Sequence, residues 1–447
     1  MTSMNVFIGI DLGSTTTKAV VLDADEQIIG RGITNSRSNY DVAAAVVREE
    51  AFVSTRFRLT EERMGARPGL QALAPRFLAV LQRNFRKQQH FDMLGRLRAS
   101  MHDSASMPRH RPYAVELNRI IGEIADGMEA VAHAHFSEGA TRKSDFFRDL
   151  ASSDFMLLAE QRGDPKGITF ETLCSIFDSA ILIVENSVCG EAFQRHAAPA
   201  LESALGELPE LGPHASALRD VVEAVRTLGL VEHGTVGTGY GRARLPFPKE
   251  QIRSEILCHG LGAHAMFPNT RTVLDIGGQD TKAIQVDPDG IVTSFHMNDR
   301  CAAGCGRYLG YIADEMNLGL HELGPLAQQS TCKVKINSTC TVFAGAELRD
   351  RLALGQSRED ILAGLHRAII LRAMSLLARS GGIADEFTFT GGVAKNPAAV
   401  QALRDLVEEN YGVRTLNISP DSIYTGALGG ALFALRAGER REATGDE

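Results

Sequence analysis

At 447 residues, 44% of them hydrophobic and 23% charged, the chain is long enough for two or three domains with full cores and ordinary in composition for a globular protein. Its net charge of −8 argues against a general nucleic-acid binder. The N-terminus runs into a strand without a basic, apolar leader pattern, and no run approaches the roughly eighteen apolar residues of a membrane helix, so a cytoplasmic protein is expected.

The first element is an apolar run, Val6-Phe7-Ile8-Gly9-Ile10, leading into Asp11-Leu-Gly-Ser-Thr-Thr-Thr-Lys18. This segment returns once, as Asp275-Ile-Gly-Gly-Gln-Asp-Thr-Lys282 behind Thr272-Val273-Leu274. Six identities, from Asp11/Asp275 through Ala19/Ala283 to Asp23/Asp287, hold at a constant offset of 275 − 11 = 264 residues. Each copy reads as strand, polar glycine-containing tip, strand. Two matched tips point to a duplicated, two-lobed protein closing on a shared ligand.

Residues 1–40 are therefore read as the first part of an N-terminal lobe. From 41 to 230 apolar residues recur at helical spacing (Leu70, Leu73, Phe77, Leu78, Leu81; then Leu117, Ile120, Ile121, Ile124), which predicts a mainly helical insertion, with a possible strand between Phe170 and Val188. Between Arg48 and Arg111 there are 13 Lys and Arg against 6 Asp and Glu, either a solvated helical face or a docking surface for an acidic partner. His102, Asp103, His133 and His135 lack a metal-binding pattern. Thr235-Val-Gly-Thr-Gly-Tyr-Gly-Arg242 reads as a glycine-rich turn returning the chain to its α/β body, with Tyr240 and Arg242 as possible cleft residues. Residues 231–270 return to the N-terminal lobe and include a helix over 251–267. Residues 271–447 form a C-terminal lobe, in which Phe387–Thr390 is a strand and Tyr424 begins a small-residue helix suited to close packing. Alternating strand and helix around a duplication gives an α/β class.

Phosphate oxygens need several N–H and O–H donors at once, and Gly, Ser and Thr in a tight turn supply them at low steric cost. Gly13, Ser14, Thr15 and Thr16 with Lys18, and Gly277 and Gly278 with Lys282, meet that need. Asp11 and Asp275 stand at strand ends, where a carboxylate could hold hydrated Mg²⁺. Gln279 or Asp280 could orient an attacking water, since phosphoryl transfer asks mainly for positioning and charge neutralisation. Gly391, Gly392, Lys395 and Asn396 form a third glycine turn after a strand, placed to pack under an adenine or ribose. Together the three turns resemble the nucleotide site of the sugar-kinase, heat-shock-70 and actin superfamily. That resemblance implies duplicated ribonuclease-H-like lobes, here with a large helical insertion, and ATP in the cleft.

Seven cysteines are present; Cys174, Cys189 and Cys258 are scattered, whereas Cys301, Cys305, Cys332 and Cys340 fall within 40 residues. In a reducing compartment such clustering points to metal or redox chemistry. Asn298-Asp-Arg-Cys301-Ala-Ala-Gly-Cys-Gly-Arg-Tyr-Leu309 and Asn337-Ser-Thr-Cys340-Thr-Val-Phe343, with the second repeat upstream and Thr390-Gly-Gly-Val-Ala-Lys-Asn396 downstream, resemble the BadF/BadG/BcrA/BcrD ATPase family. That family comprises activators of 2-hydroxyacyl-CoA dehydratases and the ATPase subunits of ATP-dependent benzoyl-CoA reductase. The long insertion, and Cys305 where the compact activators carry Thr, look most like the larger ATPase (alpha) subunit of the reductase. The resemblance implies a [4Fe–4S] cluster shared by two subunits, Cys301 and Cys340 being this chain's ligands. The second subunit would be a paralogue or a second copy. Electrons would come from reduced ferredoxin or flavodoxin and pass, driven by ATP, to two ring-reducing subunits. A complete four-cysteine site within one chain is the rival arrangement. A dehydratase activator, a small-molecule kinase and an actin-like scaffold are the rival functions.

Overall fold

The computed structural model describes residues 3–36, 39–140, 144, 146–163, 167–187, 190–239, 245–299, 305–336 and 341–444. In chain order these form β1 (Ser3–Leu12), β2 (Thr16–Leu22), β3 (Ile28–Asn35), then α1 (Tyr40–Gly65), α2 (Ala74–Ala105), α3 (Ala114–His135), α4 (Phe147–Glu160), α5 (Phe170–Asn186), α6 (Ala192–Glu207) and α7 (Ala215–Arg226). After β4 (Gly229–Gly239) come α8 (Glu255–Met266), β5 (Thr272–Ile276), β6 (Thr281–Val286), β7 (Val292–Asn298), α9 (Gly306–Met316), α10 (Leu323–Ala327), α11 (Thr341–Ala353) and α12 (Arg358–Ser380). The chain closes with β8 (Glu386–Thr390), α13 (Pro397–Tyr411), β9 (Thr415–Asn417) and α14 (Thr425–Thr444). Two compact units result, one of residues 1–4 and 29–231, the other of residues 5–28 and 232–447.

The first unit is helical because its apolar residues repeat at three and four and must be buried on one stripe. One core gathers Phe57, Phe77, Phe85, Phe193 and Val221; another gathers Ile121, Phe155, Phe177 and Ile181. Where a strand was possible from Phe170 onward, the described chain forms the helix α5 to Asn186: Thr169 caps it by accepting from Thr172 N–H, and Leu173, Ile176, Phe177 and Ile181 follow at helical spacing. Part of the basic stretch is paired within the unit. Arg76 pairs with Glu210, Arg83 with Glu207, Arg86 with Glu50 and Arg98 with Asp126, while buried Arg56 donates to the carbonyls of Val225 and Leu228. His135 pairs with Asp154, and His133 lies against the Phe91 ring.

In the second unit β2, β1 and β4 lie side by side in that order, and a second sheet runs β7-β6-β5-β8-β9. β5 pairs antiparallel with β6 and parallel with β8. Phe7, Val20, Leu22 and Val236 pack the first sheet against Leu261 of α8 and Leu428, Leu432 and Leu435 of α14. Leu274, Ile276, Phe387 and Phe389 pack the second against Leu365, Ile369 and Leu377 of α12 and Leu403 of α13. α12 has the length and composition of a membrane span, yet two thirds of its apolar window is buried in this core. Residues 235–239 are strand, a departure from the glycine-rich turn the sequence suggests; Tyr240 and Arg242 lie outside the described residues. A Cβ on Gly237 would collide with the Phe247 ring, and Gly239 is needed twice over, for the Leu12 carbonyl beside it and for its φ of 125°.

Candidate functional site

The internal repeat is realised as identical strand register. Asp11 stands opposite Lys18 across β1 and β2, and Asp275 opposite Lys282 across β5 and β6, again 264 residues on. Directly opposed residues of an antiparallel pair share a face, so each carboxylate has its lysine beside it. Lys282, only 1% exposed, lies 3.3 Å from Asp275 Oδ2 and 2.9 Å from both Asp280 Oδ1 and Glu255 Oε1. The third predicted turn joins them, because the Thr390 hydroxyl donates to Asp275 Oδ1 at 2.8 Å and Gly391 passes so close that a Cβ would stand 3.0 Å from that oxygen.

The two hairpin tips meet. A Cβ on Gly278 would collide with Thr15 Oγ1 and stand 3.5 Å from Ser14 Oγ, so only glycine lets the hydroxyl-bearing tip approach the second one. Gly13, Ser14 and Thr16 are half-buried and Thr15 is exposed; Lys18, Gly277 and Gln279 are half-buried too. Asp280 is buried on the Lys282 ammonium. Gly391 and Lys395 border this region, Gly391 half-buried and Lys395 and Gly392 exposed. Asn396 is placed differently, as the cap of α13: its Oδ1 accepts from Ala398 and Ala399 N–H, and its Nδ2 meets Nε2 of buried His366 at 3.0 Å. His366 Nδ1 faces the Leu362 carbonyl at 2.7 Å, which makes Nε2 the acceptor for Asn396.

Sequence reasoning missed Glu255 and His259. Four apart on α8, they share one helix face. One ligand atom from each of Asp11, Glu255 and His259 lies within 4.8 Å of the others. His259 Nδ1 faces Asp275 Oδ1 at 3.5 Å, and its Nε2 faces Glu255 Oε1 at 4.0 Å. The available signal was a Glu and a His at helical spacing on an apolar helix just before the second repeat.

Burial penalises every charge here, and the neighbours decide which survive. Burial raises the Asp11 carboxyl above its ordinary value against the pull of Lys18, and it raises Asp280 despite Lys282. For Asp275 the burial penalty is outweighed by His259, Lys282 and the Thr390 hydroxyl, which hold it well below the usual carboxylate range. For His259 and Lys282 burial opposes the charge, yet Asp275 above all raises both. Asp11 Oδ1 is buried without a hydrogen-bond partner, an acceptor facing a place where a cation or its water fits.

Cys301 and Cys340 lie outside the described residues, but a helix starts shortly after each: α11 begins at Thr341, and α9 at Gly306 with buried Cys305 as its cap residue. Cys332 is exposed. The described cysteine of this segment, Cys305, is buried at the N-terminus of α9, where the helix dipole favours thiolate. The start of α9 is also tied to the second tip, with Gly306 N–H donating to the Gly277 carbonyl and Arg307 N–H to the Gly278 carbonyl, each at 2.8 Å.

Two matched hairpins joined at their tips, each on its own sheet, define a two-lobed nucleotide-binding ATPase of the actin, heat-shock-70 and sugar-kinase class. A sequence profile of the BadF/BadG/BcrA/BcrD ATPase family matches residues 8–434, and the chain belongs to that family. It is 44% identical over 202 residues to the (R)-2-hydroxyglutaryl-CoA dehydratase activating ATPase of Acidaminococcus fermentans, a match covering 45% of this chain and 75% of the relative. A benzoyl-CoA reductase subunit of Thauera aromatica is 32% identical over 175 residues, 39% of this chain and 62% of that protein. The solved structure of the activator of 2-hydroxyisocaproyl-CoA dehydratase from Clostridium difficile with bound ADPNP has a TM-score of 0.54 at 21% identity, covering 98% of this chain and 97% of that one.

Proposed function

We propose that this ATPase is an ATP-driven electron activator of the kind that serves 2-hydroxyacyl-CoA dehydratases. The observation that carries the reading is the pair of backbone hydrogen bonds from Gly306 and Arg307 to the second phosphate tip, which joins nucleotide contacts to the segment just after Cys301. The similarity to a dehydratase activating ATPase over three quarters of that protein's length supports it. In this reading Ser14, Thr15, Thr16 and the N–H groups of Gly13, Gly277 and Gly278 hold ATP phosphates, and Lys18 offsets their charge. Asp11 and Asp275 orient the water shell of Mg²⁺, Gln279 and Asp280 direct the attacking water, and Gly391 and Gly392 pack under the nucleoside. Lys282, enclosed by three carboxylates, fixes the position of Asp275. Cys301 and Cys340 would hold half of a [4Fe–4S] cluster completed by a second subunit; when bound, it supplies single electrons at low potential. Reduced ferredoxin or flavodoxin is the proposed donor.

A second reading, the ATPase subunit of an ATP-dependent benzoyl-CoA reductase, is favoured by the helical unit of residues 29–231 and by Cys305. Two measurements test the proposal. Cys301→Ser and Cys340→Ser should each abolish the visible absorption of the anaerobically purified protein while leaving ATP binding, and surviving iron absorption in both defeats the shared-cluster reading. Catalytic amounts of the chain should switch on a separately purified dehydratase; stoichiometric co-purification with ring-reducing subunits selects the second reading instead.

A further inference from the structure

His366 is 1% exposed in the middle of α12, on a helix that also buries Leu362, Leu365, Ile369 and Ile370. An aliphatic side chain would fill such a position without polar atoms, whereas a buried imidazole needs a partner for each nitrogen. Here both are satisfied: Nδ1–H donates to the Leu362 carbonyl at 2.7 Å, and Nε2 accepts from Asn396 Nδ2 at 3.0 Å. Burial lowers the pKa of the ring to about 4, so it stays neutral and keeps its accepting nitrogen.

We propose that His366 is a positioning residue for the nucleoside, acting through Asn396 on the turn of residues 391–395. The inference rests on the reading that this turn packs under the base or ribose of ATP. The turn has two attachments. At its start Gly391, with a φ of 85°, runs against the Ile276 carbonyl and Asp275 Oδ1, where only glycine fits. At its end the Asn396 N–H donates to the Val393 carbonyl at 3.0 Å, so the turn closes on the residue whose side chain meets His366. Val393 and Ala394 are buried in the core that also holds α12, which leaves Gly392 and Lys395 as the exposed part of the turn.

The Asn396 amide has one usable orientation. Its Oδ1 accepts from the N–H groups of Ala398 and Ala399, so its Nδ2 is the end that faces His366. Exchanging the two ends would set an NH₂ group against two N–H donors and an oxygen against the lone pair of Nε2. Gly324 of α10 closes another side, since a Cβ there would stand 2.7 Å from Asn396 Oδ1. The hairpin tips are held by different contacts, the strand pairs β1–β2 and β5–β6. A change at His366 should therefore loosen the hold on the nucleoside and spare the hold on the phosphates.

The test compares ATP with inorganic tripolyphosphate, which offers phosphates without a nucleoside, on the full-length protein. His366→Leu removes the acceptor and leaves Asn396 Nδ2 unsatisfied. KM for ATP should rise on the order of tenfold, with kcat changed by less than about twofold and inhibition by tripolyphosphate unchanged. His366→Gln, whose Oε1 can accept from Asn396, should recover most of the ATP affinity. Asn396→Ser keeps a capping oxygen but loses the contact to Nε2, and should reproduce the selective loss of ATP affinity; it decides alone if His366→Leu does not fold. Equal weakening of ATP and tripolyphosphate overturns the proposal, because the loss is then spread over the whole site. A KM indifferent to these variants overturns it as well and leaves the ATPase reading standing. Absence of ATP hydrolysis in the unsubstituted protein overturns that reading, and this inference with it.

Discussion

Gly306 donates its backbone N–H to the carbonyl of Gly277 at 2.8 Å, so the first residue of α9 and the tip of the second hairpin are held as one piece. A shift of the tip by an ångström must either move the start of α9 or break this bond and its neighbour from Arg307 to Gly278. Replacing Arg307 by Pro removes one of the two donors. We expect Arg307→Pro to retain ATP binding while the ATP-dependent change in the visible spectrum falls by at least about half. An unchanged spectral response shows that the coupling does not run through this contact.

Gly278→Val should be more damaging than its size suggests. The added side chain would enter the space of Thr15 Oγ1 and Ser14 Oγ and push the two tips apart. Positioning losses of about 1 Å can cost on the order of a hundredfold in rate. We expect ATP turnover to fall by about that factor while α-helical content is unchanged, measured by phosphate release and circular dichroism.

Lys282→Met leaves Asp275, Asp280 and Glu255 facing one another without their cation. Breaking a buried ion pair from one side costs about 3–5 kcal/mol because an uncompensated charge remains. Chemical denaturation should show a loss of that order. Adding Asp280→Asn should recover part of it, since one of the opposed carboxylates is then neutral.

These residues were unequally legible in the sequence. The tips could be found because the chain prints them twice at one spacing, and a Gly with an Asp and a Lys at fixed distances allows few local structures. Glu255 and His259 could not be found in that way. Their helix is apolar, and their role depends on Asp11, which comes close through the packing of β1 and α14 around α8. Residues 235–239 misled because glycine marks two things, turns and crowding, and only three-dimensional neighbours such as Phe247 and Leu12 tell them apart. Asn396 shows a related ambiguity: an amide beside glycines suits a ligand loop and a helix cap equally, and Pro397 at the first helical position is the sign of the cap.

His366 makes stability depend on pH in a readable direction. Burial lowers its pKa to about 4, against an ordinary value near 6.5. Between those values the unfolded chain binds the proton and the folded chain does not, so stability rises with pH. The contribution is complete above about pH 6.5 and is lost progressively as pH falls toward 4, at up to about 1.4 kcal/mol per unit. Denaturation midpoints at pH 7.5 and 5.0 should therefore differ in the unsubstituted protein, and His366→Gln should narrow the difference.

Asp11→Asn separates function from folding. Its carboxyl is already disfavoured as a charge by burial, so a neutral amide should cost little stability, less than about 1 kcal/mol, while ATP turnover should drop below detection. A large loss of stability would show that Asp11 serves mainly to hold the fold.

The unit that carries both hairpin tips is discontinuous: residues 5–28 must wait for the chain from Glu232 onward. During synthesis the intervening helical unit leaves the ribosome complete, with its own two cores, before the first hairpin can meet its sheet neighbour β4. Loop-closure entropy grows only as the logarithm of length, so an insertion that folds by itself delays this pairing far more than it weakens it. Until then the first tip has only local contacts, and the early chain holds one hairpin of the pair with nothing to close upon.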